Sequence, residues 1–375
     1  MDVLGTVVAF IAVLVVLVLV HELGHFIVAK RAGITVQEFG VGFPPRIASV
    51  VWHGTRYSVN WIPLGGFVKM LGEDGDAEAD KMRGRGLSEA AVDKAMQGAF
   101  NRKPVWVRIV VLLAGVVMNF VLAALLFAVA LSLPAQQGRG PLTITEVQAG
   151  SPAVTAGLHV GDLITAADGR TFPISRDLTA YVRSRAGHLV ELTVVRGGRD
   201  LAVQVTPRAL TADDVAKGLG AVGFSYEPER FVEIAPSVSG PLAAGWEGVT
   251  VAADLALKIP GGLASAVAGL VGLSPDAGTA VGPIGIASET GKVLRAPLVS
   301  QLLFVGILSV NLAVLNVLPF PPLDGGRIAV VVVEAIRRRR LPAEREALVY
   351  LTGFMVLIFL VILISIRDVA NLIGG

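Results

Sequence analysis

No charged side chain stands between Asp2 and Glu22, and an apolar run of that length decides most of what this chain can become. A helix needs about 20 apolar residues to cross a bilayer core, and a spanning segment must satisfy every backbone polar group within itself. Three further stretches meet the same condition, so spans are expected at residues 3–29, 105–133, 301–336 (interrupted by prolines) and 347–366. The composition agrees, with 53% hydrophobic residues against roughly 45–50% in ordinary globular domains, and a mean hydropathy of +0.68. Met1-Asp2 offers no basic leader and no small-residue cleavage site follows, so the first run is expected to be a retained helix and not a signal peptide. The expected fold class is a multi-pass α-helical membrane protein with four transmembrane helices.

Basic residues cluster beside the spans: Lys30 and Arg31 after the first, Arg102, Lys103 and Arg108 at the start of the second, Arg337 to Arg340 after the third. Lys and Arg favour the cytoplasmic side, which predicts both termini on the outer side of the membrane and residues 135–300 outside as well. A net charge of +2 leaves no broad cationic surface, and nothing points to nucleic acid. The absence of cysteine excludes disulfides, thiolate nucleophiles and thiolate metal sites.

Between the first two spans, residues 36–43 and 57–70 alternate in strand fashion between glycine-rich turns. Exposed-type apolar residues there (Phe39, Phe43, Trp61, Phe67) suggest a cytoplasmic β-hairpin associated with the membrane; a plain hairpin in water is the competing reading. Residues 140–208 read as a small extracytoplasmic domain. Residues 189–196 and 199–205 alternate around Gly197-Gly198, a hairpin whose tight turn needs positive φ. Upstream, Gly150-Ser151-Pro152-Ala153, Ala156-Gly157-Leu158, Gly161-Asp162-Leu163-Ile164 and Asp168-Gly169 resemble a PDZ domain, a fold that binds extended peptides by adding a strand. A β-rich spacer is the plainer alternative. A helix is expected between Pro241 and Leu257, lying against the outer membrane surface. The chain thus divides into 1–137 (two spans and the hairpin loop), 138–208 (the PDZ-like domain), 209–299 (an interfacial segment) and 300–375 (the last two spans).

The chemistry sits at the end of the first span, in His21-Glu22-Leu23-Gly24-His25. Histidines four residues apart share a helix face and reach one zinc, with the intervening glutamate close enough to a metal-bound water to act as its base. Ionisable groups at membrane depth are costly and mark function, and His21 lies roughly 27 Å along the helix from Val3, still inside the core. A catalytic zinc wants a third protein ligand and an open position. His53, His159 and His188 are expected outside the spans, so that ligand should be a carboxylate, and Asp324 and Glu334 are the ones to weigh. Glu334 adjoins the Arg337 run at the interface. Asp324 lies in Asn316-Val317-Leu318-Pro319-Phe320-Pro321-Pro322-Leu323-Asp324-Gly325-Gly326, where prolines and glycines open the helix around a polar cavity.

Together these motifs resemble the site-2 protease family of intramembrane zinc proteases, most nearly the bacterial branch that includes the regulator-of-sigma-E protease. Further matching stretches are Phe39-Gly40-Val41-Gly42-Phe43, Pro63 to Lys69, Ala114-Gly115 with Asn119-Phe120, and Gly282-Pro283-Ile284-Gly285. Two features depart from the pattern: Val116 stands where proline is usual, and a single PDZ-like domain occurs where some relatives have two. The resemblance implies zinc held by His21, His25 and Asp324, with Glu22 as general base. It also implies substrate contacts from Asn316, with Asn311 a weaker candidate, and from the hairpin around Gly65, Gly66 and Phe67. Expected partners are the bilayer, single-span membrane proteins such as trimmed anti-sigma factors or signal-peptide remnants, and a peptide at the PDZ-like domain. A divalent-metal transporter using the same three side chains, or an inactive membrane scaffold, are the alternatives from other classes. Against the first, Glu22 is superfluous to transport; against the second, the full zinc set is present.

Overall fold

The computed structural model of the chain describes residues 3–73, 75–210, 220–238, 240–270, 282–339 and 342–373; parts of the 209–299 segment lie outside these. The chain forms two compact units, one from Met1–Ala130, Gly240–Pro260 and Gly282–Asp368, the other chiefly from Leu131–Ser239. Among the described residues, four helices are long and apolar enough to cross a membrane.

The first unit opens with α1 (Val3–Arg31). Its many β-branched residues are indifferent helix formers in water, but in hydrocarbon a helix satisfies the backbone without outside partners. Lys30 and Arg31 complement the negative end of the helix dipole, and Gly33, at φ +66°, takes the left-handed position that stops it. The hairpin follows as β1 (Val36–Trp52) and β2 (Thr55–Met70), longer than the sequence pattern suggested. Both strands bend, so that Glu38–Val41 lies against 66–69 on one side and against Arg56–Val59 on the other, the latter with partner numbers rising together. The outer half pairs Trp52 with Thr55 and leaves Ile47, Val50, Val51, Trp52 and Trp61 exposed. Two short helices, α2 (Ala77–Gly84) and α3 (Glu89–Ala95), close over Leu71, Met96 and Ala99. Then comes α4 (Val105–Ser132), whose buried face runs from Val111 to Ala130. The approach of α1 to α4 depends on Gly24, where a Cβ would sit 2.3 Å from the carbonyl oxygen of Ala114.

The second unit is a β domain, made of β3 (Ala135–Val147), α5 (Pro152–Thr155), β4 (Leu163–Ala167), β5 (Arg170–Thr171), α6 (Ser175–Ser184), β6 (Val190–Arg196), β7 (Arg199–Val205) and β8 (Phe224–Ile234). The strand order is β7-β6-β4-β3-β8, with β5 beside β4. Period-two alternation sends Val190, Leu192 and Val194 inward, where they join Leu142, Ile144, Ile164, Leu178 and Val182 in one core. Each such side chain contributes about 1.5–3 kcal/mol on burial. Gly197 and Gly198, at φ +57° and +76°, make the expected tight turn. The sheet also reaches beyond residue 208: β8 pairs with β3 from Ala135↔Ile234 to Val147↔Phe224. Its alternation of Phe224, Tyr226 and charged residues is too polar to stand out as a strand in the sequence.

The remaining helices are α7 (Pro241–Leu270), α8 (Pro283–Val293), α9 (Leu298–Val317), α10 (Asp324–Arg337) and α11 (Ala343–Ile373). The helix expected at 241–257 runs on through Pro260. The apolar region 301–336 is not one interrupted span but two helices, α9 and α10, because Pro319, Pro321 and Pro322 have no N–H to continue the ladder. Asp368 of α11 caps the start of α8, its carboxylate accepting the Gly285 N–H at 2.8 Å.

Candidate metal centre

Three ligand atoms converge in the first unit. His21 Nε2 lies 2.9 Å from Asp324 Oδ2, His25 Nε2 lies 3.2 Å from the same oxygen, and the two imidazole nitrogens are 3.1 Å apart. Zinc bonds of about 2.0–2.1 Å in a tetrahedral set put ligand atoms about 3.3 Å from one another. The triangle therefore has the size of one face of a zinc tetrahedron. All three side chains are largely buried, and their nitrogen, nitrogen and oxygen donors suit a catalytic zinc with an open fourth position.

Each donor is set by its element. His21 and His25 stand one turn apart on α1, with ring centroids 4.8 Å apart. His25 Nδ1 is 2.8 Å from the carbonyl oxygen of Val111 on α4 and donates to it, which leaves the Nε2 lone pair free. His21 Nδ1 faces the carboxamide of Asn119, with Nδ2 at 3.3 Å. Between these two positions of α4 stands Gly115, where a Cβ would lie 2.4 Å from His25 Nε2 and 2.7 Å from His21 Nε2. The space that a methyl group would fill is the space a metal ion needs. Asp324 opens α10, where the helix dipole favours a carboxylate. Gly325 allows the turn to fold back, since a Cβ there would meet the carbonyl oxygens of Val317 and Leu318 at 2.1 and 2.2 Å.

A cleft of about 530 Å³ opens beside the triangle, and Glu22, Gly65, Gly66, Phe67, Asn316 and Arg327 line it together with the three donors. Glu22 is partly buried, next in sequence to His21 but offset around the helix. Asn316 donates Nδ2 to the Leu312 carbonyl at 3.0 Å. Asn311 is absent from the cleft lining; its side chain bonds the Ile307 carbonyl instead. Five residues turn a helix by about 140° beyond a full revolution, so Asn311 and Asn316 occupy different faces of α9.

Glu334, the other carboxylate weighed for the metal, is held by Arg108 at 3.0 Å, a buried ion pair away from the triangle. Sequence reasoning singled out Gly115 and Asn119 only as parts of family-like stretches and gave no role to the residues that hold the donors. The Val111 carbonyl has no side-chain signature, Gly115 acts through an absent atom, and Asn119 is a single polar residue within an apolar span. It also missed the ion pair of Arg327 with Glu73, whose other oxygen accepts the Met70 N–H at the end of β2. The signal for Arg327 was its place one turn after Asp324.

Apolar helices with a His, His, carboxylate donor set and an adjacent glutamate define a membrane metalloprotease. The chain belongs to peptidase family M50, the site-2 protease family: the model for that family matches residues 9–360. Its relatives include a protein of Agrobacterium fabrum named for zinc metalloprotease activity, 32% identical over 99% of this chain and 97% of that one. The metalloprotease MmpA of Caulobacter vibrioides is 32% identical over 98% and 97%, and the regulator of sigma-W protease RasP of Bacillus subtilis 28% identical over 98% and 99%. Among solved structures, the PDZ domain of an SdrC-like protein from Listeria innocua matches at 28% identity and a TM-score of 0.20, covering 25% of this chain and 97% of that one. The chain is a zinc-dependent intramembrane endopeptidase, and family membership decides against the transporter and scaffold readings.

Proposed function

We propose that His21, His25 and Asp324 hold the catalytic zinc and that Glu22 is the general base and acid of peptide hydrolysis. The observation that carries this is the triangle of 2.9, 3.1 and 3.2 Å between their donor atoms. A zinc ion held there would supply Lewis acidity and make water easier to deprotonate. Glu22 takes a proton from the attacking water and returns it to the leaving amine. Asn316 hydrogen-bonds the substrate backbone, and Gly65-Gly66-Phe67 present a strand edge to it. A helical substrate has its amides bonded internally, so it must unwind before an edge can take it up. Low helix stability in the substrate therefore favours cleavage.

The substrates are transmembrane segments of single-span proteins, cut towards the cytoplasmic face of a bacterial inner membrane with the β domain outside. The basic clusters at the ends of the spans support that orientation. One relative is named as a regulator of a sigma factor; by analogy the substrates include anti-sigma factors already trimmed outside, with signal-peptide remnants a second pool. The β domain acts as a PDZ-type filter that admits substrates with a small outer portion.

The test is co-expression of a candidate single-span substrate with wild type and with Glu22→Gln, together with zinc analysis of both purified proteins. Cleavage by wild type alone, with equal zinc in both, is expected. Equal cleavage by both would remove the assignment.

A further inference from the structure

On α4, Val111, Gly115 and Asn119 recur every four residues and so form one stripe, and each position touches the histidines of α1. Two of them already have a clear effect: the Val111 carbonyl fixes His25, and Gly115 leaves room. Asn119 does not yet. Its side chain is fully buried, Nδ2 lies 3.3 Å from His21 Nδ1, and Oδ1 is buried with no hydrogen-bond partner. Its main-chain carbonyl accepts the hydroxyl of Ser309 on α9 at 2.8 Å, which holds this point of α4 in place. A buried polar atom without a partner asks for an explanation.

The explanation comes from proton positions on His21. With Nδ2 facing it, His21 Nδ1 can pair only as an acceptor, which would put the ring proton on Nε2, 2.9 Å from Asp324 Oδ2. A ligating Nε2 must offer its lone pair, which moves the proton to Nδ1, and an Nδ1–H facing an NH2 group is two donors head to head. The amide oxygen and nitrogen are nearly the same size, so half a turn about Cβ–Cγ brings Oδ1 to the ring without further space. Oδ1 then accepts from the ring, and Nδ2 takes the place that Oδ1 held.

We propose that Asn119 is a positioning residue of the zinc site, its carboxamide oxygen accepting the Nδ1–H of His21 and holding Nε2 towards the metal. This rests on the reading of His21 as a ligand. Both histidines are then oriented alike, each by a carbonyl oxygen from α4, one from the main chain and one from a side chain. Metal-bound histidines characteristically give their second N–H to such a partner.

The full-length protein, purified in detergent, tests this by zinc competition against a chromogenic chelator and by the absorption spectrum of the cobalt(II)-loaded form. Asn119→Leu keeps the volume without a polar atom, Asn119→Ala is too small to clash, and Asn119→Asp keeps an acceptor in either orientation. Ser309→Ala removes a hydrogen bond of the same residue but leaves the carboxamide in place. Loss of an orienting partner weakens metal binding about 10–100-fold, so the Leu and Ala variants should lose that much zinc affinity and shift the cobalt bands. The Asp and Ser309→Ala variants should stay near wild type. Wild-type affinity in the Leu and Ala variants, or an equal loss in Asp, overturns the role of Asn119 alone. Wild type that binds no zinc overturns the ligand assignment beneath it, and this inference with it.

Discussion

Two aspartates, one in each unit, meet opposite fates. Asp162 of the β domain is 1% exposed and meets Arg196 in a two-pronged pair, Nε to Oδ1 at 2.7 Å and Nη2 to Oδ2 at 2.6 Å. It also accepts the His159 N–H at 2.8 Å, while Arg196 reaches on to the Gly157 carbonyl. The Arg196 guanidinium, helped by that amide, holds the Asp162 carboxyl below its ordinary range. Its charge is answered within the protein, and the pair bolts β6 to the loop before β4. Asp324 is instead brought against two imidazoles, bases that are neutral when they serve as metal ligands. A carboxylate buried among neutral bases is completed by a cation from outside. The same residue type thus fastens a fold in one unit and, on the assignment proposed above, serves a metal in the other, and the partner makes the difference.

One substitution applied at both places sharpens the contrast. Asp324→Asn should reduce bound zinc and substrate cleavage to background while the thermal unfolding midpoint of the metal-free protein stays close to wild type. Gly115→Ala should reach the same end by filling the centre, read as zinc content. Glu22→Gln should cost about 10²–10⁴ in turnover with zinc retained; loss of zinc along with activity would break the division of labour between base and ligands. Asp162→Asn should leave zinc binding intact and destabilise the β domain by about 3–5 kcal/mol, seen in denaturant unfolding. The sign of its pH dependence follows from the lowered carboxyl: the stabilisation is whole above the unfolded value of about 3.9 and is lost as pH falls through the lower folded value. Midpoints measured from pH 6 downwards should drop more steeply in wild type than in Asp162→Asn below about pH 4. Smallest of all, Gly198→Ala puts a side chain into open space at φ +76°, and should cost about 1–2 kcal/mol for the backbone alone.

How much of this was legible beforehand follows the physics of each residue. His21, Glu22 and His25 could be read because helical periodicity converts spacing in the sequence into direction in space. Asp324 emerged by elimination, since a chain without cysteine offers few ligands at membrane depth. The alternating core strands of the β domain and its Gly197-Gly198 turn were equally plain. The break between α9 and α10 was marked by its prolines, but apolar composition continued across it and the two helices read as one. Gly115 and Asn119 of the α4 stripe stood out only through the family resemblance, and their roles stayed hidden because the contributions are a main-chain oxygen, a missing methyl group and an amide among valines and leucines. β8 stayed hidden because half of its residues face water and its partner β3 lies far away in the chain.

The ion pair between Glu73 and Arg327 joins two places that sequence keeps far apart. Through Met70 it grips the last residue of β2, and through Arg327 the first turn after Asp324. The strand proposed to receive substrate and the helix that presents the carboxylate are therefore geared to one another. Whatever fixes the end of β2 therefore also fixes the first turn of α10, and a change of conformation at one has to be accommodated at the other.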